Sequence, residues 1–214
     1  LGGPPVAAPL LSGSAQFVDG FIVTSKFDEN TFAVFRYGAR ELPLAMLLAN
    51  AMGSAMLPEF AIKNRLKQNL KKLKQSVSKL MHFLFPLTAI LLLISHTVFP
   101  VLFNPEFKES ATIFNIYLLL VISRLLMPQT ILNGLKISKN IMYASFFELV
   151  LNISLSLIFV QFWGIAGIAF ATFLAYLFEK IYLTIVVRRK LNIQLQEYLP
   201  INFYFLYSVG LVVI

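Results

Sequence analysis

Two adjoining stretches, KNRLKQNLKKLKQSVSK (Lys63–Lys79) and LMHFLFPLTAILLLISHTVFPVLF (Leu80–Phe103), decide the fold class. The second is a mostly apolar run long enough to cross a hydrocarbon core of about 30 Å as a helix. The first carries seven Lys or Arg residues. Its Leu66, Leu70, Leu73 and Val77 recur at spacings of 4, 3 and 4, which is one face of a helix. The pair predicts an amphipathic helix over 63–79 lying on the cytoplasmic leaflet, followed by a membrane span. A calmodulin-target helix has the same pattern, but spans flank this one on both sides.

Working outward, comparable apolar blocks place spans at about 5–25, 31–62, 80–103, 111–135, 141–162 and 164–187. Residues 201–214 read as the start of a seventh. Every second gap is basic: Lys63–Lys79, Lys136–Lys139 and the cytoplasmic loop 188–200, which opens with Arg188–Lys190. The gaps between, KFDEN, NPEFKES and QFWG, carry little net charge. Cytoplasmic loops hold the excess of Lys and Arg, so the chain begins inside and these three gaps lie outside. The connections are short, so consecutive spans form helical hairpins. The alternation of a membrane β-barrel is absent. The fold class is an all-α, polytopic membrane bundle.

Composition agrees. Of 214 residues, 58% are hydrophobic and 13% charged, and the mean hydropathy is +0.76. A soluble domain is nearer 45–50% apolar and about 25% charged. The net charge of +8 raises nucleic acid as a partner. Twelve of the 18 cationic residues lie in the basic gaps, where orientation and anionic headgroups account for them, and no basic face is interleaved with aromatics. There is no cysteine, which excludes disulfides and thiolate metal sites. The chain starts at Leu1, lacks the basic opening of a signal peptide and stops within an apolar run, so it reads as a fragment of a longer protein.

Thr31 is the expected N-cap of the second helix. A helix from there to Ile62 would be about 48 Å long, more than the hydrocarbon core needs. Its first third, TFAVFRYGARE, then stands at the outer interface. Pro43, Pro86 and Pro128 can kink spans. Gly164, Ala166, Gly167, Ala169 and Ala171 make a small-residue packing face.

Ionisable residues inside spans are costly and mark candidate sites. Asp19 lies about two turns before the outer end of the first span, and Glu148 lies in the fifth. Both are candidate ion-coupling carboxylates. Arg124, in the fourth span, can pair with Glu148 or contact substrate. Glu59, Glu179 and Lys180 are close enough to the interface to snorkel. Arg36 and Arg40 are four apart with Tyr37 between them, and guanidinium forks match phosphate oxygens. Arg36, Tyr37, Arg40 and Arg124 are therefore candidate substrate-binding residues. Local pairing of Arg40 with Glu41 is the plain alternative. Asn50, Asn115, Gln129, Asn133 and Asn152 can join helices or bond sugar hydroxyls. His82 and His96 are isolated, so no metal site is read. No G-x-S-x-G, phosphate loop or H-E-x-x-H appears, and the loops are short for a catalytic domain. The reading is a transporter, not an enzyme, and needs no cofactor.

Three stretches resemble a known family. QFVDGFIVTSKFDENTFAVFRYGARELPLAMLLANAMGSAMLPEFA resembles the start of the second half of polysaccharide flippases. FNPEFKESATIFNIYLLLVISRLLMPQTILNGLKISKN resembles the next stretch, with Asn104-Pro105 in place of the usual Gly. WGIAGIAFATFLAYLF resembles the G-x-x-G-x-A-x-A-T signature. The family is the lipid-linked oligosaccharide branch of the multidrug/oligosaccharidyl-lipid/polysaccharide exporter superfamily. The resemblance implies two six-helix lobes around a central cavity, with this chain the C-terminal lobe and the start of a further span. It implies alternating access in a bacterial inner membrane. The cargo would be an undecaprenyl-pyrophosphate-linked oligosaccharide, flipped from inner to outer leaflet for surface polysaccharides such as the O-antigen of lipopolysaccharide. The implied partners are that lipid-linked glycan, membrane lipids and an N-terminal lobe. A lipid II flippase and a cation-coupled drug exporter of the same superfamily are the alternatives. A membrane-embedded glycan polymerase or ligase would need a larger outer loop.

Overall fold

A computed structural model describes residues 17–62, 65–103 and 105–214, apart from the side chain at 106. Every element in it is helical. Residues 5–16 of the expected first span lie outside the described residues. Helix α1 covers 17–26. It is followed by α2 (Glu29–Gly38), α3 (Pro43–Ala61), α4 (Leu66–Leu102), α5 (Lys108–Leu118), α6 (Leu120–Arg124) and α7 (Pro128–Gly134). Then come α8 (Ser138–Leu191), α9 (Leu195–Tyr198) and α10 (Ile201–Val213).

The expected single helix over 31–62 is two helices. Asp28, not Thr31, caps the first: its carboxylate accepts the Thr31 N–H at 2.8 Å, and the Thr31 hydroxyl together with that N–H holds its pKa below the usual carboxylate value. The break over 39–42 has a local cause. Pro43 has no N–H to donate and disfavours helical backbone at the residue before it, so the helix restarts with Pro43 in its first turn. The Arg40 N–H turns to the Gly38 carbonyl at 2.6 Å instead. Gly38 lets α2 press on α5, since a Cβ there would sit 2.5 Å from the Ser110 carbonyl oxygen. The Ser110 hydroxyl seals the contact by donating to the Val34 carbonyl at 2.7 Å.

The expected surface helix over 63–79 is also corrected. It has no boundary at Leu80: α4 runs unbroken from Leu66 to Leu102. Leu70, Leu73 and Val77, read as a lipid-facing stripe, are buried in the protein core with Met81 and Leu84. Helices α9 and α10 supply Tyr198 and Tyr204 to that core, and in sequence they lie far from α4. The expected span over 111–135 is broken as well. Met127 takes a left-handed conformation (φ 53°), Pro128 starts α7, and the two parts meet at 45°.

At 1.5 Å per residue, the 54 residues of α8 would make a rod of about 80 Å, far longer than a bilayer core. The run is a hairpin. Trp163 and Gly164 leave helical geometry, with Gly164 at φ 55° and ψ −139°. Asn152 bonds Thr172, Ser145 bonds Glu179, and Lys190 bonds Asn140, at successively greater distances from the turn. Only antiparallel arms allow that ladder. Gly167 packs directly on the Phe159 backbone of the facing arm.

Helices α3, α4 and α8 are each long and apolar enough to cross a membrane, and the bent pair Lys108–Arg124 with Pro128–Gly134 makes a fourth candidate. Large apolar side chains cover the outside, among them Leu93 (68% exposed), Val101 (79%) and Phe162 (72%). A face this apolar suits acyl chains, not water. The basic gaps gather at one end: Lys74 donates to the Gln196 carbonyl at 2.7 Å, Lys190 to Asn140 at 2.8 Å, and Lys72 pairs with Glu59. At the other end Tyr37 packs against Phe103 and Phe107 at ring separations of 5.0 and 5.2 Å.

Candidate functional site

The break after α2 sets the first site. Because the helix ends at Gly38, Arg36 and Arg40 are not on one helix face, as their spacing suggests. They nevertheless line the same cavity, of about 550 Å³, between α1 and α2. Phe17, Phe21, Phe32 and Phe35 form apolar walls, and Tyr117 lies beneath. Among the described residues neither guanidinium meets a carboxylate; Arg40 rests 6.0 Å from the Tyr37 ring centroid. Tyr37 sits in the aromatic cluster with Phe103 and Phe107 and braces Arg40 from outside the cavity wall. An apolar pocket with two uncommitted guanidinium forks suits an amphiphile with an anionic, oxygen-rich group.

Below this cavity lies Asp19, fully buried on α1. Its Oδ2 accepts from the Tyr117 hydroxyl at 3.1 Å and the Thr172 hydroxyl at 2.6 Å. Asn152 donates to the Thr172 oxygen at 2.9 Å, which joins both arms of the α8 hairpin to the carboxylate. Among the described residues, three buried oxygens here have no hydrogen-bond partner: Asp19 Oδ1, Asn152 Oδ1 and, one helical turn on, Ser156 Oγ. Buried polar atoms are normally paired, so this cluster is deficient in positive charge or donors. Neither Tyr117 nor Ser156 stood out in the sequence. Thr172 closes the G-x-x-G-x-A-x-A-T run, and a hydroxyl at the end of a small-residue face was the available signal.

A second polar network lies on the far side of the helix breaks. Arg124 pairs with Glu41, through Nε to Oε1 at 2.6 Å and Nη2 to Oε2 at 2.7 Å. This replaces both expected pairs, Arg124 with Glu148 and Arg40 with Glu41. The Arg124 fork is thereby committed, and its Cζ lies 5.5 Å from the Tyr176 ring centroid. Lys180 donates to Gln129 at 2.6 Å and to Glu179 at 2.9 Å. Glu179 also accepts from Gln129 and Ser145. Glu179 and Lys180 are thus buried and paired, and neither snorkels to an interface. Glu148 is fully buried, and among the described residues neither of its carboxylate oxygens has a hydrogen-bond partner in this network or elsewhere.

The span amides divide by role. Asn115 bonds Ser95 at 2.6 Å between α4 and α5, and Asn152 and Gln129 hold partners on α8. Asn50 and Asn133 bond no other helix among the described residues; they line a cavity of about 500 Å³ bordered by α3, α7 and Arg124. His82 bonds the Ser78 carbonyl and packs on Phe203 and Tyr207, a structural setting. Among the described residues no cluster of His, Asp or Glu could hold a metal ion.

A family model described as lipid II flippase MurJ matches residues 6–214. No curated protein sequence matches. Among solved structures, a lipid II flippase MurJ in an inward closed conformation is similar with a TM-score of 0.74 and 19% identity, over 96% of this chain and 44% of that one. A MOP superfamily transporter from Pyrococcus furiosus is similar with a TM-score of 0.70 and 17% identity, over 98% of this chain and 51% of that one. A multidrug resistance MATE family transporter gives 0.62 and 17% over the same shares. The chain spans about half the length of these structures. Its fold is that of the MOP superfamily transporters.

Proposed function

Because this chain belongs to the lipid II flippase MurJ family, we propose that it forms one lobe of a bacterial inner-membrane flippase. In this reading it acts with a second lobe and carries a lipid-linked, pyrophosphate-bearing saccharide from the inner to the outer leaflet by alternating access. Lipid II, the peptidoglycan precursor, is the proposed cargo. The sequence resemblance pointed to the polysaccharide branch of the same superfamily, whose cargo shares the polyprenyl pyrophosphate. Family membership favours the lipid II branch.

The observation that carries the reading is the pair Arg36 and Arg40, which line one Phe-walled cavity and have no ion-pair partner among the described residues. At the outer interface, guanidinium groups without a carboxylate are open to an incoming anion, which they can bind with forked hydrogen bonds. A pyrophosphate offers oxygens that two forks can share, and the Phe walls suit the first isoprene units. Arg124, held by Glu41, acts as a support and not as a phosphate ligand. A drug exporter for organic cations is the second reading; it would place carboxylates, not guanidinium groups, on the cavity.

The coupling group in this proposal is Asp19. Its free Oδ1, with Asn152 Oδ1 and Ser156 Oγ, supplies oxygen atoms of the kind that take a monovalent cation or a proton. Glu148 is the second coupling carboxylate, buried without partners nearer the Glu179–Lys180 pair. The test is complementation in a bacterium depleted of its lipid II flippase, using the full-length protein. Arg36→Ala with Arg40→Ala is expected to abolish growth and leave lipid II on the inner leaflet at normal protein levels. Unchanged growth and export would defeat the proposal.

A further inference from the structure

The cavity between α3 and α7 has no part in the reading above. Its volume of about 500 Å³ lies within the range of about 300–1,000 Å³ usual for small-molecule sites. Asn50 and Ser54 reach it from α3, and Asn133 and Thr130 from α7. Arg124 and Lys180 border it, but each is already neutralised, by Glu41 and Glu179. Local charge therefore balances, and the cavity has no excess cation for a phosphate. It offers amides and hydroxyls.

The amides decide the ligand class. At bilayer depth an unpaired amide costs free energy, and the other span amides are bonded across helices. Asn50 and Asn133 bond no protein atom among the described residues, and both are exposed to this cavity. Each presents two donors and an acceptor, the pattern that matches neighbouring hydroxyls of a sugar ring. Gly53 keeps the space open, since a Cβ there would lie 3.2 Å from Thr130 Oγ1.

Position connects this cavity to the first. Arg40 lines the outer cavity, its chain neighbour Glu41 holds Arg124, and Arg124 lines this one. One amphiphile could put its phosphates on Arg40 and its neutral head here. We propose that the Asn50–Asn133 cavity is a glycan subsite, binding the saccharide of a lipid-linked substrate by its hydroxyl groups. The inference rests on the flippase reading and names the part of the substrate each cavity takes.

The experiment measures binding to the full-length protein in nanodiscs. The probes are undecaprenyl pyrophosphate and the same lipid carrying a disaccharide without peptide. Wild type is expected to bind the disaccharide lipid more tightly. Asn50→Ala and Asn133→Ala, on different helices, should each weaken only the disaccharide lipid, by about tenfold, as expected when hydrogen bonds to one side chain are lost. Arg40→Ala should weaken both probes. If wild type binds both probes equally, or if the Asn variants leave both affinities unchanged or weaken both alike, the glycan subsite is overturned. If Arg40→Ala weakens neither probe, the flippase reading fails instead, whatever the Asn variants do.

Discussion

Glu41 and Arg124, 83 residues apart in sequence, are joined fork to fork by hydrogen bonds of 2.6 and 2.7 Å. Glu41 sits in the break between α2 and α3, and Arg124 ends α6 just before the break at Met127. The pair therefore ties two interrupted spans together at their interruptions. Removing Glu41 strips its carboxylate from Arg124, whose side chain is 21% exposed and borders a cavity. Glu41→Ala should therefore destabilise the protein by about 1.5–3 kcal/mol, the range for hydrogen bonds to a charged group. The double change Glu41→Leu with Arg124→Met should recover most of that loss. Thermal unfolding in detergent measures both; a Glu41→Ala protein that melts like wild type would remove the pair's structural role.

Gly38 makes a second prediction about the same region. Alanine there would place its Cβ 2.5 Å from the Ser110 carbonyl oxygen and 2.8 Å from Ile113 Cβ. The helices α2 and α5 must then separate, at a cost of about 1–3 kcal/mol. Since α2 carries Arg36, transport should fall more than the loss of folded protein explains. Export per folded molecule, scored against expression level, is the deciding measurement.

Gly164 and Gly210 are both surrounded by open space, yet their substitutions should differ in sign. Gly164 has φ 55° and ψ −139°, so Gly164→Ala should cost about 1–3 kcal/mol through backbone strain alone. Gly210 lies inside α10 with no such constraint, so Gly210→Ala should stabilise by up to about 1 kcal/mol. Melting curves of the two variants test the contrast, and equal shifts in one direction would refute it.

The Asp19 cluster should be visible without transport. If Asp19, Asn152 and Ser156 hold a monovalent cation, that cation stabilises the folded state by mass action, by about 2.7 kcal/mol at a hundredfold excess over its dissociation constant. Wild-type melting temperature should then rise with sodium or lithium at constant ionic strength. Asp19→Asn and Asn152→Ala should flatten the response. A wild-type protein indifferent to both cations, with a transport rate that tracks pH, would assign the cluster to protons.

The bundle, its apolar surface and the gathering of the basic gaps were legible because hydropathy and charge patterns are local. Asp19 was legible as a costly residue in apolar surroundings, and Arg36 and Arg40 as two guanidinium forks four residues apart at the outer interface. The breaks were harder. Pro43 and Pro128 announced possible kinks, but whether a proline bends a helix or ends it depends on what receives the freed backbone groups, as the Arg40 N–H to Gly38 bond shows. Partners were least legible. Arg124 faced Glu148 on the next span by sequence order and Glu41 in space, because packing of α3 against α6 is a long-range fact. Leu70 and Val77 were misread for the same reason: a stripe at helical spacing looks alike whether lipid or the Tyr198 region covers it.

The unbroken α4 has a mechanical consequence. From Leu66 to Phe85 it contains no proline, and Pro86 is the first position where the rod can hinge. That stiff length of 20 residues is about 30 Å, so a 10° bend at Pro86 would sweep its basic tip through roughly 5 Å. Lys72 and Lys74 ride on this lever and are bonded to Glu59 and to the Gln196 carbonyl. A 10° bend would carry Lys72 and Lys74, which lie 14 and 12 residues from Pro86, through about 3–4 Å against the charged end of α3 and the loop before α10.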